Sequence, residues 1–276
     1  MANSIKPRRF GNPRPSNSPP RIPHLIFLAA LLVASAFTQT KQTGIEKPEE
    51  YLKQAVISQV GDVTRLHANS PRPLLQALDA LRQKYGWLVS YEDPQFHGAD
   101  LVKSQNEAPE ELPAGGEFTV EFPARAPDEE KTLGLIVDAY NRTKNPGRFE
   151  VRRVGGDYCI VGIAARDDKG AIAPRPPLLD SPVTIESAER SVADTVNLIG
   201  RAAAADPAST FAIGVAPSSF IARTMVKIGG SKMPARDLLA QCLKASQRRF
   251  SWRLLFDPAS KGYFLSLDTA PTKTGA

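Results

Sequence analysis

Apolar side chains at Leu74, Leu78, Leu81 and Tyr85 fall at i, i+4, i+7 and i+11, which predicts one face of an amphipathic helix. Gly86 follows as the residue that best tolerates positive φ, and ends that helix. Beyond it Trp87, Val89 and Tyr91 alternate with Leu88 and Ser90, the period of a strand. A half-buried strand is predicted where Phe118, Val120 and Phe122 alternate with Thr119 and Glu121. The next helix carries Leu133, Ile136, Val137 and Tyr140, with Asp128, Glu129 and Glu130 at its positive N-terminal end. Phe149–Val154 and Asp157–Ile163 then flank Gly155-Gly156, a short-range hairpin signal.

The same order of elements comes round again. Val63-Thr64-Arg65-Leu66 opens the first pass and Val183-Thr184-Ile185-Glu186 the second. Val192, Val196, Ile199 and Ala203 form the second pass's first stripe, with Ser191 as N-cap and Asp194 three residues on. Phe211, Ile213 and Val215 alternate with small residues in the strand after it. A strand ending at Val226 and Ile228 precedes a helix carrying Leu238, Leu239, Cys242 and Leu243. Phe250, Trp252, Leu254 and Phe256 form one face of a strand onto which Tyr263–Leu267 pairs back. The fold class predicted is α+β, two tandem copies of a small βαβ-βαββ unit. The units span 62–164 and 182–268, joined by a Pro-rich linker at 165–181. A helical lead-in at 37–61 precedes them and a polar tail at 269–276 follows.

The first 36 residues hold five basic side chains and no acid, and Leu25–Phe37 is a 13-residue apolar run. That is short for a membrane span of roughly 20 residues. It has the length of a signal-peptide core, and Ala34-Ser35-Ala36 supplies a small-x-small cleavage pattern. The expectation is export, with cleavage near Ala36 and a periplasmic or secreted product. Membrane attachment would come only through an uncleaved leader. The leader also changes the charge picture: the whole chain is +6, but without the leader 30 basic residues face 29 acidic ones. A near-neutral chain lacks the electrostatic footprint of a nucleic-acid binder.

Few residues offer chemistry. His67, placed between the first strand and first helix, and His97 have no further ligands at metal spacing, so no metal is predicted. Cys159 on a strand and Cys242 on a helix stripe read as buried free thiols, because nothing secures the approach that a bridge requires. Gly229-Gly230-Ser231 reads as a turn between a strand and its helix rather than a phosphate loop. Glu110-Glu111 and Arg248-Arg249 read as solvated charge pairs, and Asn141-Arg142-Thr143 as a sequon placed on a helix. No catalytic residues and no cofactor are predicted. The polar insertion Gly98–Gly116 is the candidate specificity loop.

Pro73-Leu74-Leu75-Gln76-Ala77-Leu78 with Trp87–Tyr91 resembles the short domain at the N-terminus of secretins and TonB-dependent receptors. So does Arg236-Asp237-Leu238-Leu239 with Phe250–Phe256 and Tyr263–Leu267. The resemblance implies a non-catalytic envelope module that binds an envelope protein partner without a cofactor. Homo-oligomerisation stays open, because such units line up in rings in secretins. A self-assembling structural component is one alternative reading. A small-ligand receptor or enzyme using a groove between the copies is the other.

Overall fold

Strands and helices run from Val56 to Thr269, and the central strands find partners far along the chain. The structure is a computed structural model that describes residues 55–69, 71–96, 116–204 and 209–270, and the backbone of 101–103 and 111–113. All of these lie in one compact unit, Lys47–Ala276. Residues 1–36, where a signal segment is expected, lie outside the described residues.

The first half runs β1 (Val56–Val60), β2 (Val63–Ala68), α1 (Pro73–Tyr85), β3 (Ser90–Glu92), β4 (Leu101–Lys103), β5 (Glu111–Pro113), β6 (Phe118–Pro123), α2 (Glu129–Arg142), β7 (Gly147–Val154) and β8 (Asp157–Arg166). A connector follows with β9 (Ile172–Pro174) and a 3-10 turn at Leu178–Asp180. The second half runs β10 (Pro182–Ser191), α3 (Val192–Ala203), β11 (Thr210–Ile213), α4 (Ser218–Arg223), β12 (Met225–Pro234), α5 (Ala235–Ala245), β13 (Phe250–Asp257) and β14 (Gly262–Thr269). The fold is α+β.

One pairing scheme occurs in both halves. β2 pairs antiparallel with β6, and β10 with β12. β3 lies parallel to β8, and β11 parallel to β14, each last strand being hairpinned to the one before it. The halves are not separate bodies, however. β3 also lies parallel to β13, so the two three-stranded sheets fuse in the order β11-β14-β13-β3-β8-β7, with β9 on β8.

Register shows which helices cover which face, since residues directly opposite point to the same side. Tyr91 is opposite Arg253, and Arg253 reaches Asp79 on α1. Glu92 is opposite Leu254, and Glu92 meets Arg236 on α5. The first half's helices thus cover one face of the fused sheet and the second half's the other. β8 is consequently buried on both faces, with Cys159, Ile160 and Val161 fully enclosed.

The helix signals hold at atomic level. Leu74, Leu78 and Leu81 are buried along α1, and Gly86 closes it with φ 72°. Asp128 Oδ1 accepts the Lys131 amide at 2.9 Å, capping α2. Ser191 Oγ accepts the Asp194 amide at 3.0 Å, capping α3. Gly155 and Gly156 take the positive φ that the β7–β8 hairpin requires.

Several expectations are corrected. The helical lead-in predicted over 37–61 is, where described, the strand β1: Val56 and Ile57 favour extended backbone, and Gly61-Asp62 closes a two-residue hairpin onto β2. The strand predicted from Trp87 begins at Ser90, where β8 and β13 first supply partners. The stretch 165–181 is not a free linker. Asp167 Oδ1 folds it back by accepting the Lys169 and Ala171 amides, and Leu179 in the 3-10 turn is 1% exposed. Gly229-Gly230-Ser231 is no turn but lies inside β12, opposite an irregular stretch of β10. A Cβ on Gly229 would come within 2.4 Å of Ser187 backbone, which is why the strand carries glycine there. His67 sits within β2, not after it.

Candidate functional site

Two constellations of polar side chains arise where the halves meet, one sealed and one open. The sealed one starts at Glu92, 1% exposed on β3. Its Oε1 accepts hydrogen bonds from Arg236 Nη1 and from Trp252 Nε1, the latter at 3.2 Å. Arg236 also donates to Asp180 Oδ1 through Nη2 at 2.9 Å and Nε at 3.2 Å. Arg152 Nη1 grips both oxygens of Asp180 at 2.8 and 2.7 Å. The row Glu92–Arg236–Asp180–Arg152 therefore alternates in sign and ties β3, α5, the connector and β7 together. A parallel clamp joins Arg72 and Asp93 at 2.9 Å. Asp93 accepts the Phe256 amide at 3.1 Å, and Arg72 donates to the Phe256 carbonyl at 3.1 Å. Arg253 with Asp79, and Arg82 with Asp268, extend the seam.

Burial pushes the Glu92 carboxyl up, with Arg236 and the Trp252 indole working against it. At Asp180 burial acts in the same sense, but the bonds from Arg152 and Arg236 outweigh it and hold this carboxyl below its usual range. Burial, then the nearby Glu92 charge, drives the Cys159 thiol well above its usual value, away from the thiolate that reactive cysteines need. Perturbed titrating groups mark active sites when they line a cleft. Glu92 and Cys159 are enclosed, Asp180 is part-exposed, and the two carboxylates are paired with arginines of the fold, which is the arrangement of a structural weld.

The open constellation surrounds the tip of the β7–β8 hairpin. A cleft of about 550 Å³ is lined by Trp87 and Leu88 after α1, Asp128–Glu130 at the start of α2, Arg153 and Tyr158 of the hairpin, and Arg249 of the second half. Trp87 is half-buried and stacks on Tyr85 with ring centres 5.0 Å apart. Tyr158 donates its hydroxyl to Glu130 Oε2 at 2.9 Å and accepts from Arg153 Nη2 at 3.0 Å. The Arg153 guanidinium also lies 5.1 Å from the Tyr158 ring centre. Arg249 meets Asp157 at 3.3 Å in the open. Burial and the Asp157 charge push the Glu129 carboxyl up. On the hairpin's other side a cleft of about 320 Å³ shares Asp157 and Arg249, with Trp252 and Leu243 among its lining.

No protein-family model, curated protein or solved structure matches the chain.

The residues singled out from sequence are scattered by the fold. His67 Nδ1 is 2.9 Å from Thr119 Oγ1 on the outer face of β2–β6. His97 and Glu110 lie outside the described residues, as does most of Gly98–Gly116, of which β4 and β5 pair as a short hairpin. Cys159 and Cys242 are both free and buried. Arg248 and Arg249 are both exposed, as expected, and Arg248 also lies 4.2 Å over the Phe220 ring. Asn141 spends its carboxamide on the Phe149 backbone, accepting from N at 3.1 Å and donating to O at 2.8 Å. Among the described residues no three His, Cys, Asp or Glu side chains form a metal cluster, and no helix is long and apolar enough to cross a membrane. The hairpin-tip cleft had a sequence signal of its own, since Trp87 follows the helix-ending Gly86 and Tyr158 follows the Gly155-Gly156 turn. Nothing in one dimension placed them beside each other.

Proposed function

We infer that this is an exported cell-envelope protein that works by binding another protein, the hairpin-tip cleft being its recognition surface. The observation that carries the reading is the cleft's make-up. Half-buried Trp87 and Tyr158 stand beside exposed Arg153 and Arg249, and the lining comes from both halves. Tryptophan, tyrosine and arginine dominate the energetic centres of protein interfaces, because they bury much area at little entropic cost and keep a polar end. The basic leader with its apolar core and Ala34-Ser35-Ala36 supports export, with cleavage near Ala36. The pairing scheme shared by the two halves supports the resemblance to secretin and TonB N-terminal modules. In that reading the protein is an adaptor, non-catalytic and free of cofactor.

The test is in-cell photo-cross-linking from a benzophenone amino acid at Tyr158, with mass spectrometry of the product. One envelope protein captured in stoichiometric amount is expected, and Trp87→Ala should weaken the isolated complex by about 30-fold or more, the loss of one interface hot spot. Absence of any heterologous product, or wild-type affinity in the folded Trp87→Ala protein, defeats the reading. The volume of the cleft, about 550 Å³, also suits a small ligand. That reading gains if an envelope metabolite raises the Tm with dose and Trp87→Ala abolishes the effect.

A further inference from the structure

Sheet edges differ sharply in how they are protected. β6 carries Glu121 and ends in Pro123; β7 carries three arginines and a register break. β10 and β12 are charged and irregular along their shared register, and β11 is only four residues long. β1, Val56-Ile57-Ser58-Gln59-Val60, has none of these devices. It carries no charge and no proline, its ladder to β2 is unbroken, and among the described residues no strand pairs with its outer edge. Val56 is 59% and Val60 73% exposed on the outer face, with Val63 at 41% directly across from Val60. An edge so unguarded is a template for another strand.

We propose that β1 pairs antiparallel with β1 of a second copy about a twofold axis at Ser58, giving a continuous six-stranded sheet β6-β2-β1-β1-β2-β6. The sequence of the strand is what selects a second copy as the occupant. Reversing VISQV about its central serine sets Val56 opposite Val60 of the other copy at both ends, on the face where these valines are exposed. Ile57 falls opposite Gln59 on the inner face. No like charges meet, because the strand has none. Among the described residues Arg65, opposite Ser58 on β2, is neutralised by Glu121 at 2.7 Å and would stand three strand spacings, about 14 Å, from its counterpart. Five residues of edge pairing bury well below the roughly 1,200 Å² of a stable specific interface, so the dimer is weak and concentration-dependent. This surface is distinct from the hairpin-tip cleft, so either proposal can fail without the other.

Ser58→Cys tests the geometry. A residue on the axis faces itself at a Cα separation of about 4.5–5.5 Å, within disulfide reach. Gln59→Cys, one position off the axis, would face its twin at about 8 Å, beyond that reach. Mild oxidation of purified protein should therefore link Ser58→Cys into dimers and leave Gln59→Cys monomeric. Sedimentation velocity over rising concentration should show dimer in the wild type and at least a tenfold weaker association in Ser58→Lys, which places two ammonium groups face to face. Far-UV and thermal scans of Ser58→Lys confirm that it remains folded, since position 58 is exposed. Equal cross-linking at 58 and 59, monomer at every concentration, or a dimer indifferent to Ser58→Lys each overturns the proposal. A photo-cross-linker at position 58 that captures a different protein in cells also overturns it, assigning the edge to that partner.

Discussion

Replacing Arg236 by Met isolates the weld between the halves. Methionine fills much the same volume, so what is lost is the cation that Glu92 and Asp180 share. Asp180 keeps both bonds from Arg152 and is about one-third exposed, so it is left solvated and paired. Glu92 keeps only neutral donors, the Trp252 indole at 3.2 Å and the weak Cys159 thiol at 3.9 Å, and its Oε2 already has no partner. A buried charge stripped of its counter-ion costs about 3–5 kcal/mol. For a unit of this size that corresponds to a Tm lower by roughly 6–20 °C, and to a urea midpoint lower by about 1–2.5 M at a slope of about 2–3 kcal/mol/M. The pH dependence has a definite sign. Burial already raises the folded-state pKa of Glu92 above its unfolded value, and losing Arg236 raises it further. The folded variant therefore binds the proton more tightly than the unfolded chain, and its stability recovers as pH falls through that raised value. Urea melts at pH 8 and pH 5 should show the larger deficit at pH 8. Glu92→Gln combined with Arg236→Met should regain most of the loss, because the amide can still accept from Trp252 and no charge remains buried. A deficit under about 1 kcal/mol, one equal at both pH values, or a double variant no better than Arg236→Met would each refute the reasoning.

Asp180→Asn should act in the opposite pH sense. A carboxylate held below its usual range adds stability above about pH 3.9, lost as pH falls through the folded-state value, so the gap between wild type and variant should close below about pH 4 in acid titrations of stability. Cys242, pushed up to about 12 by burial, and the still more shielded Cys159 should ignore a thiol reagent in the native state. Both should titrate in denaturant, and fast labelling without denaturant would contradict their burial. Gly162→Ala should cost about 1–3 kcal/mol in a denaturant melt, because its Cβ would lie 2.4 Å from the Pro94 nitrogen and ring; a neutral effect would show that β8 yields there.

Helices and hairpins were legible because their signals are local. The stripe Leu74–Leu78–Leu81, the Ser191 cap and the Gly155-Gly156 turn each sit within a dozen residues and need no distant partner to declare themselves. The start of β3 is not legible in the sequence because pairing with β8 and β13, not alternation, decides where a strand begins. The connector read as a linker because three prolines dominate it, while the residues that dock it, Leu179 and Asp180, are ordinary ones whose partners lie in β7 and α5. The charged weld left no trace at all. Glu92 and Arg236 are 144 residues apart, and each alone looks like a solvated charge. At the hairpin-tip cleft Trp87 and Tyr158 each carry a local signal, but their meeting does not, for the same reason.

The fused sheet has a consequence for the life of the chain before it is folded. Ser90 and Trp252 meet across β3 and β13, 162 residues apart, so the middle of the sheet cannot close until nearly the whole chain exists. At about 5–20 residues per second of synthesis that interval is roughly 8–30 s. During it the first half's β3 and β8 lack the layer that covers their second face. Docking of the two halves onto each other is thereby postponed by topology alone until the second half has been made.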